Sequence, residues 1–167
     1  YIGLEPHNWV TAWVAITDSN EKNGCMRMWS GSHKDNLKKH DQKFNEGTLL
    51  TRGQTVKNVP KDETTPIVLE AGQISLHHPM VVHGSEPNKS NDRRIGFVIQ
   101  SYISTNVNQV LGKNSVQIAR GVDKFNFHEK IGRPNLLMDK DDLELKKKEN
   151  DNLQEIFYKG SKKKGNY

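Results

Sequence analysis

Apolar and β-branched residues gather in short runs along the chain, each closed by turn-forming residues, and this spacing predicts strands rather than long helices. Val10 to Ile16 reads VTAWVAI, with Trp13 in the middle, and is expected to be a strand buried on both faces. DSNEKNG interrupts it, and Asn23-Gly24 is a tight-turn signal because both residues tolerate positive φ. With Cys25 to Trp29 as the returning strand, a hairpin is predicted.

Further along, GSHKDNLKKHDQKF turns at Gly31 and Ser32 and predicts a short helix near Asn36 to His40. Residues 45 to 66 are polar, carry Gly47, Gly53 and Pro60, and predict a long loop with one weak strand near Thr48 to Thr51. Pro66 to Glu70 predicts another short strand.

The central stretch is GQISLHHPMVVHGSEPNKSNDRRIGFVIQSYIS, Gly72 to Ser104. Its apolar runs, Ile74 to Leu76 with Met80 to Val82 and then Ile95 to Ile103, flank the turn-rich GSEPNKSND and predict a strand, a turn and a strand. Beyond Ser104 apolar residues scatter among turn formers, as in extended crossing segments. Asp141 to Tyr158 then places acids ahead of bases, with apolar residues at Leu143, Leu145, Leu153, Ile156 and Phe157, and predicts a helix. The closing SKKKGNY is expected to be disordered.

Composition narrows this picture. The chain has 167 residues, about one domain's worth, but 33% hydrophobic and 27% charged residues make a thin core. The net charge of +5 comes from 25 basic against 20 acidic residues, mixed along most of the chain, and reads as a solvated surface. The Lys162 to Lys164 run lacks an aromatic-interleaved basic surface, so no nucleic-acid partner is expected. A single cysteine, Cys25, excludes an intramolecular disulfide framework and favours a reduced, cytoplasmic setting. No run approaches the ~20 apolar residues of a membrane span, so no membrane partner is expected.

The chemistry gathers at His83, which closes the first run of the central stretch, and Arg94, which opens the second eleven residues later. A neutral imidazole suits a divalent transition metal, and the planar fork of a guanidinium suits a carboxylate. An isolated His is more often a surface or satisfied core residue than a ligand. Arg94 has the alternative of a surface salt bridge, and Arg93 competes with it from the other face of a strand. His77 and His78 lie ahead of Pro79, where alternation sends them to opposite faces and the proline can disturb the register, so neither receives a role. His33 reads as a turn residue, and His7, His40 and His128 as surface residues.

HGSEPNKSNDRRIGF and the upstream VTAWVAITDSNEKNGCMRMWSGSHK together resemble the phytanoyl-CoA dioxygenase family, whose members are non-haem iron(II), 2-oxoglutarate-dependent oxygenases. The resemblance runs from Tyr1 to about Ser104. It implies that His83 is the distal iron ligand, Ser85 a hydroxyl at the co-substrate, Arg94 the arginine for the far carboxylate of 2-oxoglutarate, and Trp13 a residue lining that pocket. By itself a Trp in an apolar strand is core packing, and both roles can hold. Glu70-Ala71-Gly72 resembles the acidic and glycine turn before the distal-histidine strand of jelly-roll oxygenases. The segment from Asn45 to Pro66 matches a region that covers the active-site mouth in the family.

The implied fold is mainly β: a double-stranded β-helix, jelly-roll or cupin-like, incomplete at the N-terminus and carrying a C-terminal helix. Residues 1–138 are expected to be its later strands, 139–160 the helix and 161–167 a basic tail. The family draws its other two iron ligands from a His-x-Asp motif ahead of the tyrosine that Tyr1 resembles. His7 is followed by Asn8 and Trp9 and does not supply that motif, and the first residue is Tyr rather than Met, so a fragment of a longer reading frame is expected, inactive alone. The implied activity is Fe(II)- and 2-oxoglutarate-dependent hydroxylation of a small organic substrate with O2. Two alternatives stay open, a non-catalytic jelly-roll binding module and a halogenase of the same superfamily. The sequence names neither the substrate nor the oligomeric state.

Overall fold

The computed structural model describes residues 2–35, 37–42 and 54–160. Its strands are β1 (Leu4–Glu5), β2 (Trp9–Ala15), β3 (Met26–Trp29), β4 (His40–Gln42), β5 (Gln54–Val56) and β6 (Thr64–Pro66). They continue with β7 (Ile74–His77), β8 (His83–Ser85), β9 (Gly96–Ile103), β10 (Asn108–Gln109), β11 (Ser115–Val116) and β12 (Glu129–Lys130), before one helix, α1 (Lys140–Tyr158). Among the described residues no helix is long and apolar enough to cross a membrane.

The chain divides into two compact units, one built from residues 9–41 and 55–103 and the other from residues 2–8 and 104–160 with Gln42 and Gln54. In the first, β2 is the centre of a three-stranded antiparallel sheet in the order β7-β2-β9, and β3 the centre of a second in the order β6-β3-β8. Taken in chain order, these strands alternate between the sheets, except that β3 and β6 follow each other in one. Such alternation is the topology of a jelly roll, and the chain is mainly β with one helix near its end, as expected.

Two expectations about pairing are overturned. β2 and β3 do not form a hairpin, because they belong to different sheets. The Asn23-Gly24 turn is present, with Gly24 at φ 76, but it serves a wider loop cross-braced by side chains. Buried Asn23 donates from Nδ2 to the Asp18 carbonyl at 2.8 Å and accepts from the Asn20 amide at 2.8 Å, while the Asn20 side chain accepts from the Lys22 and Asn23 amides. Those bonds satisfy the loop internally and carry the chain from one sheet to the other.

Likewise, His83 and Arg94 do not sit on one strand pair. Pro79 has no amide to continue a ladder, and the Met80 amide donates instead to Nδ1 of His78 at 3.2 Å. The expected single strand therefore breaks into β7 in one sheet and β8 in the other, with Arg94 just ahead of β9.

Smaller differences follow. β2 is central but only Ala12 and Ala15 are fully buried, and Ile16 is exposed, so it is not buried on both faces. Ser32–Lys34 forms one 3-10 turn and His40 opens β4, whereas the helix expected near Asn36 to His40 includes Asn36, outside the described residues. The strand expected at Pro66 to Glu70 lies earlier, at Thr64–Pro66, followed by an isolated Ser19–Leu69 bridge. The weak strand near Thr48 to Thr51 and the tail from Ser161 fall outside the described residues, as do residues 45–53 of the expected long loop, while its remainder holds β5, a 3-10 turn at Lys61–Glu63 and β6.

In the second unit short strand pairs, β1 with β10 and β11 with β12, accompany the predicted helix. Asp139 caps α1 by accepting from the Asp142 amide at 3.1 Å, and Asp141 and Asp142 place negative charge in its first turn. Glu149 accepts from both the amide and the hydroxyl of Ser115, tying the helix to β11. Ile156, 1% exposed, packs over Gly112. His128 was expected on the surface, but it is half-buried and donates from Nε2 to the Val107 carbonyl at 2.8 Å.

Candidate active site

The inner face of β7 is unusual for a strand. Ser75 and His77 are buried at 9% and 8% exposure, while Ile74 and Leu76 are exposed at 54% and 69%. Alternation puts residues i and i+2 on one face, so here the polar pair points inward, where a polar site rather than an oily core is being lined.

His83 begins β8 and pairs in register with Met28 of β3. Its Nδ1 lies 2.9 Å from the Val81 carbonyl. A carbonyl oxygen only accepts, so Nδ1 carries the proton and Nε2 of the neutral ring keeps a lone pair directed away from its own backbone. Anchoring one ring nitrogen so that the other is free to ligate is the usual support for a metal-bound histidine. The His77 ring lies beside it, centroids 5.3 Å apart. Burial, with the neighbouring His83 adding to it, lowers the His77 pKa to about 4, so this imidazole is neutral near pH 7. The sequence left His77 without a role; the alternation of β7, had Pro79 been taken as the end of the strand, would have pointed it inward with Ser75.

Arg94 reaches the same region from ahead of β9. Its Nη2 donates to Ser85 Oγ at 3.4 Å, a long bond, and its guanidinium carbon lies 5.7 Å from the Trp13 ring centroid, within range of cation–π attraction. Among the described residues no carboxylate pairs with Arg94, so the surface salt bridge offered as the alternative is not formed there. Arg93 is exposed, with its carbonyl accepting from Thr17 Oγ1 at 2.9 Å. The Ile95 amide donates to the same Thr17 oxygen at 2.9 Å, so one hydroxyl clips the backbone on both sides of Arg94. That clip was not legible from the sequence, because Thr17 lies 77 positions away.

Trp13 owes its place to a glycine. Ala15 pairs with Gly96 and Trp13 with Val98, and a Cβ on Gly96 would fall within the Trp13 indole. Only a residue without a side chain lets the ring lie flat against β9 and face Arg94. Gly24 plays a related part on the far side of β8: it sits against the Glu86 carbonyl, and the Lys89 amide donates to the Lys22 carbonyl at 3.1 Å, fastening the loop after His83 and Ser85.

All four residues singled out by sequence, Trp13, His83, Ser85 and Arg94, therefore belong to one unit, with Arg94 directly against both Ser85 and Trp13. As hosts for iron they fit in part. His83 presents a free Nε2, but among the described residues no group of three or more His, Cys, Asp or Glu side chains is placed to hold a metal. His33, expected to hold a turn, has its ring 5.3 Å from that of His78, and its neighbour Ser32 accepts from the Val82 amide and donates to the Trp29 carbonyl. His7 is exposed and donates from Nδ1 to the Leu4 carbonyl at 3.1 Å.

The chain is 31% identical over 96 residues to the peroxisomal phytanoyl-CoA dioxygenase of Mus musculus, a match covering 56% of this chain and 28% of that enzyme. It is 28% identical over 113 residues, 64% of this chain and 39% of the relative, to a Stutzerimonas stutzeri protein named "Probable alpha-ketoglutarate-dependent hypophosphite dioxygenase". The chain thus spans between about a quarter and two fifths of the length of these relatives. Among solved structures, the apo form of the non-heme monooxygenase ThoJ superimposes with a TM-score of 0.81 at 28% identity, over 94% of this chain and 56% of that one. The family model of phytanoyl-CoA dioxygenase (PhyH) matches residues 2–96, more than half of the chain. The chain belongs to the phytanoyl-CoA dioxygenase family.

Proposed function

We propose that the chain forms the part of an iron(II)- and 2-oxoglutarate-dependent dioxygenase that supplies the distal iron ligand and the grip on the co-substrate, in an enzyme that hydroxylates a small organic molecule with O2. The observation that carries this reading is the state of Arg94: a guanidinium without a carboxylate partner among the described residues, steadied by Ser85 and Trp13 in the unit that also presents the free Nε2 of His83. Membership of the family and the names of the two relatives support the same chemistry.

In this reading His83 holds the metal through Nε2, its tautomer fixed by the Val81 carbonyl. Arg94 receives the far carboxylate of 2-oxoglutarate through parallel N–H donors, with Ser85 offering its hydroxyl, and charge-assisted bidentate bonding of that kind is strong and directional. Trp13 forms a wall and holds the guanidinium by its ring face. Iron(II), when bound, supplies O2 activation coupled to the oxidative decarboxylation of 2-oxoglutarate to succinate and CO2. In the same reading residues 1–138 belong to the later strands of a double-stranded β-helix, and the lone cysteine supports a reduced cytoplasmic setting.

The test is titration of the metal-supplemented protein with 2-oxoglutarate. Losing a hydrogen-bonded charge is worth about 1.5–3 kcal/mol, so Arg94→Ala is expected to weaken 2-oxoglutarate binding by about ten- to a hundredfold while metal affinity stays near the parent value. An unchanged affinity for 2-oxoglutarate would remove Arg94 from the role.

A further inference from the structure

We propose that Thr17 is a positioning residue for the co-substrate: its hydroxyl fixes the backbone around Arg94 and so aims the guanidinium at the far carboxylate of 2-oxoglutarate. The proposal deepens the assignment of Arg94 above and rests on it. In this role Thr17 acts through Arg94 and not by touching the co-substrate.

Arg94 stands where the sheet gives out. The register of β2 on β9 pairs Trp13 with Val98, Val14 with Phe97 and Ala15 with Gly96, and its continuation brings Thr17 opposite Arg94. Because β9 begins only at Gly96, Arg93 to Ile95 lie ahead of the strand. Thr17 takes over there. Its Oγ1 donates to the Arg93 carbonyl at 2.9 Å and accepts from the Ile95 amide at 2.9 Å, and its own amide donates to the Ile95 carbonyl at 3.2 Å. A continued antiparallel ladder would send the Ile95 amide to a backbone carbonyl across the pair. A side-chain oxygen receives it instead, and the same oxygen reaches the residue before Arg94, so one threonine fixes the chain on both sides of the arginine.

The clip is itself anchored. Asp18 Oδ1 accepts from the Ala71 amide at 2.8 Å, and Ser19, 1% exposed, exchanges backbone bonds with Leu69 at 2.8 and 2.9 Å. Thr17 therefore stands between β2 and a segment tied to the turn before β7. The guanidinium needs such support because its own contacts are loose: the bond to Ser85 is 3.4 Å long and the Trp13 ring centroid is 5.7 Å away. Bidentate bonding to a carboxylate depends on direction, and a side chain that its neighbours hold loosely is aimed by the backbone that carries it.

The experiment uses the 167-residue chain, titrated by calorimetry with 2-oxoglutarate in the presence of Ni(II), with hydrogen exchange of the Ile95 amide followed by NMR. Thr17→Val keeps the shape and removes the hydroxyl. It is expected to weaken 2-oxoglutarate binding about fivefold or more, the weight of one net hydrogen bond, and to speed Ile95 exchange while Ni(II) affinity stays at the parent value. Thr17→Ser, which keeps the hydroxyl, should restore both, and Thr17→Ala gives the same readouts as valine if the valine variant fails to fold. Added to Arg94→Ala, Thr17→Val should weaken binding no further, whereas a general loosening of the structure would add its own loss. If Arg94→Ala weakens 2-oxoglutarate binding but Thr17→Val does not, or does so equally in the Arg94→Ala background, the Thr17 proposal is overturned and Arg94 stands. An affinity that neither substitution moves, or a wild-type chain that binds no 2-oxoglutarate, would overturn both assignments.

Discussion

The unit that holds the candidate site and the unit that holds the helix are stabilised in different ways. In residues 9–41 and 55–103 the strands are tied by ladders between partners far apart in sequence, Ala12 meeting both Leu76 and Ile99, and the fully buried side chains are small or polar, Ala12, Ala15, Ser19, Asn23, Ser75 and His77 among them. In residues 2–8 and 104–160 the strand pairs are two residues long and the order comes from one capped helix, with Ile156 and Tyr158 buried on it and Val107 buried below the turn from Ser104. A unit whose buried side chains are small or polar cannot rely on a packed apolar interior, so backbone ladders and side-chain clips such as Thr17 and Asn23 hold its residues. The helical unit carries no such constraint and is stabilised by burial.

Mutations should therefore separate the two regions. The largest expected effect is on the helical unit: Ile156→Ala removes a fully buried side chain and should cost about 2–5 kcal/mol, read as loss of helical circular dichroism at lower denaturant. In the site unit the corresponding break is Gly96→Ala, whose methyl collides with Trp13. Overpacking costs about 1–3 kcal/mol, and displacement of the ring should weaken 2-oxoglutarate binding as well as stability. A Gly96→Ala protein with unchanged 2-oxoglutarate affinity would dissociate Trp13 from the grip on Arg94.

Removal of the helix cap by Asp139→Ala should cost about 1 kcal/mol, visible as a lower thermal midpoint with no change at the site. The smallest effect concerns Cys25 in the site unit. Burial, reinforced by Glu21 and partly countered by Arg27 and Arg94, raises its thiol above the ordinary value of 9.0. Because the folded pKa is the higher one, the contribution to stability is complete below pH 9.0 and declines as pH rises through and beyond it. Iodoacetamide at pH 8 should modify the folded protein slowly and the urea-unfolded protein rapidly, by mass spectrometry; equal rates would mean that the thiol is neither buried nor raised.

The site was legible where chemistry and local order coincide. His83 and Arg94 sit within twelve residues of each other around one turn-rich segment, so an imidazole and a guanidinium suggested a metal ligand and a carboxylate grip, and the family resemblance added Ser85 and Trp13. What stayed hidden were groups whose meaning depends on distant partners. His77 was one of two histidines before a proline and received no role, and Thr17 and Gly96 carried no signal, because the His83 ring, the backbone on either side of Arg94 and the Trp13 ring that they meet come together only in three dimensions.

The sequence by itself determined the strand-forming runs, the helix from the acid-led segment after Asp139, the thin core and which side chains have the chemistry suited to a metal or a carboxylate. These follow from local propensity, side-chain period and functional-group chemistry. Only the tertiary structure decided that β2 and β3, and likewise β7 and β8, part into different sheets. Strand pairing is a contest among many long-range partners of similar local propensity. It is settled here by loop side chains, a proline without an amide and a glycine without a Cβ, Gly96, acting on Trp13 from 83 positions away.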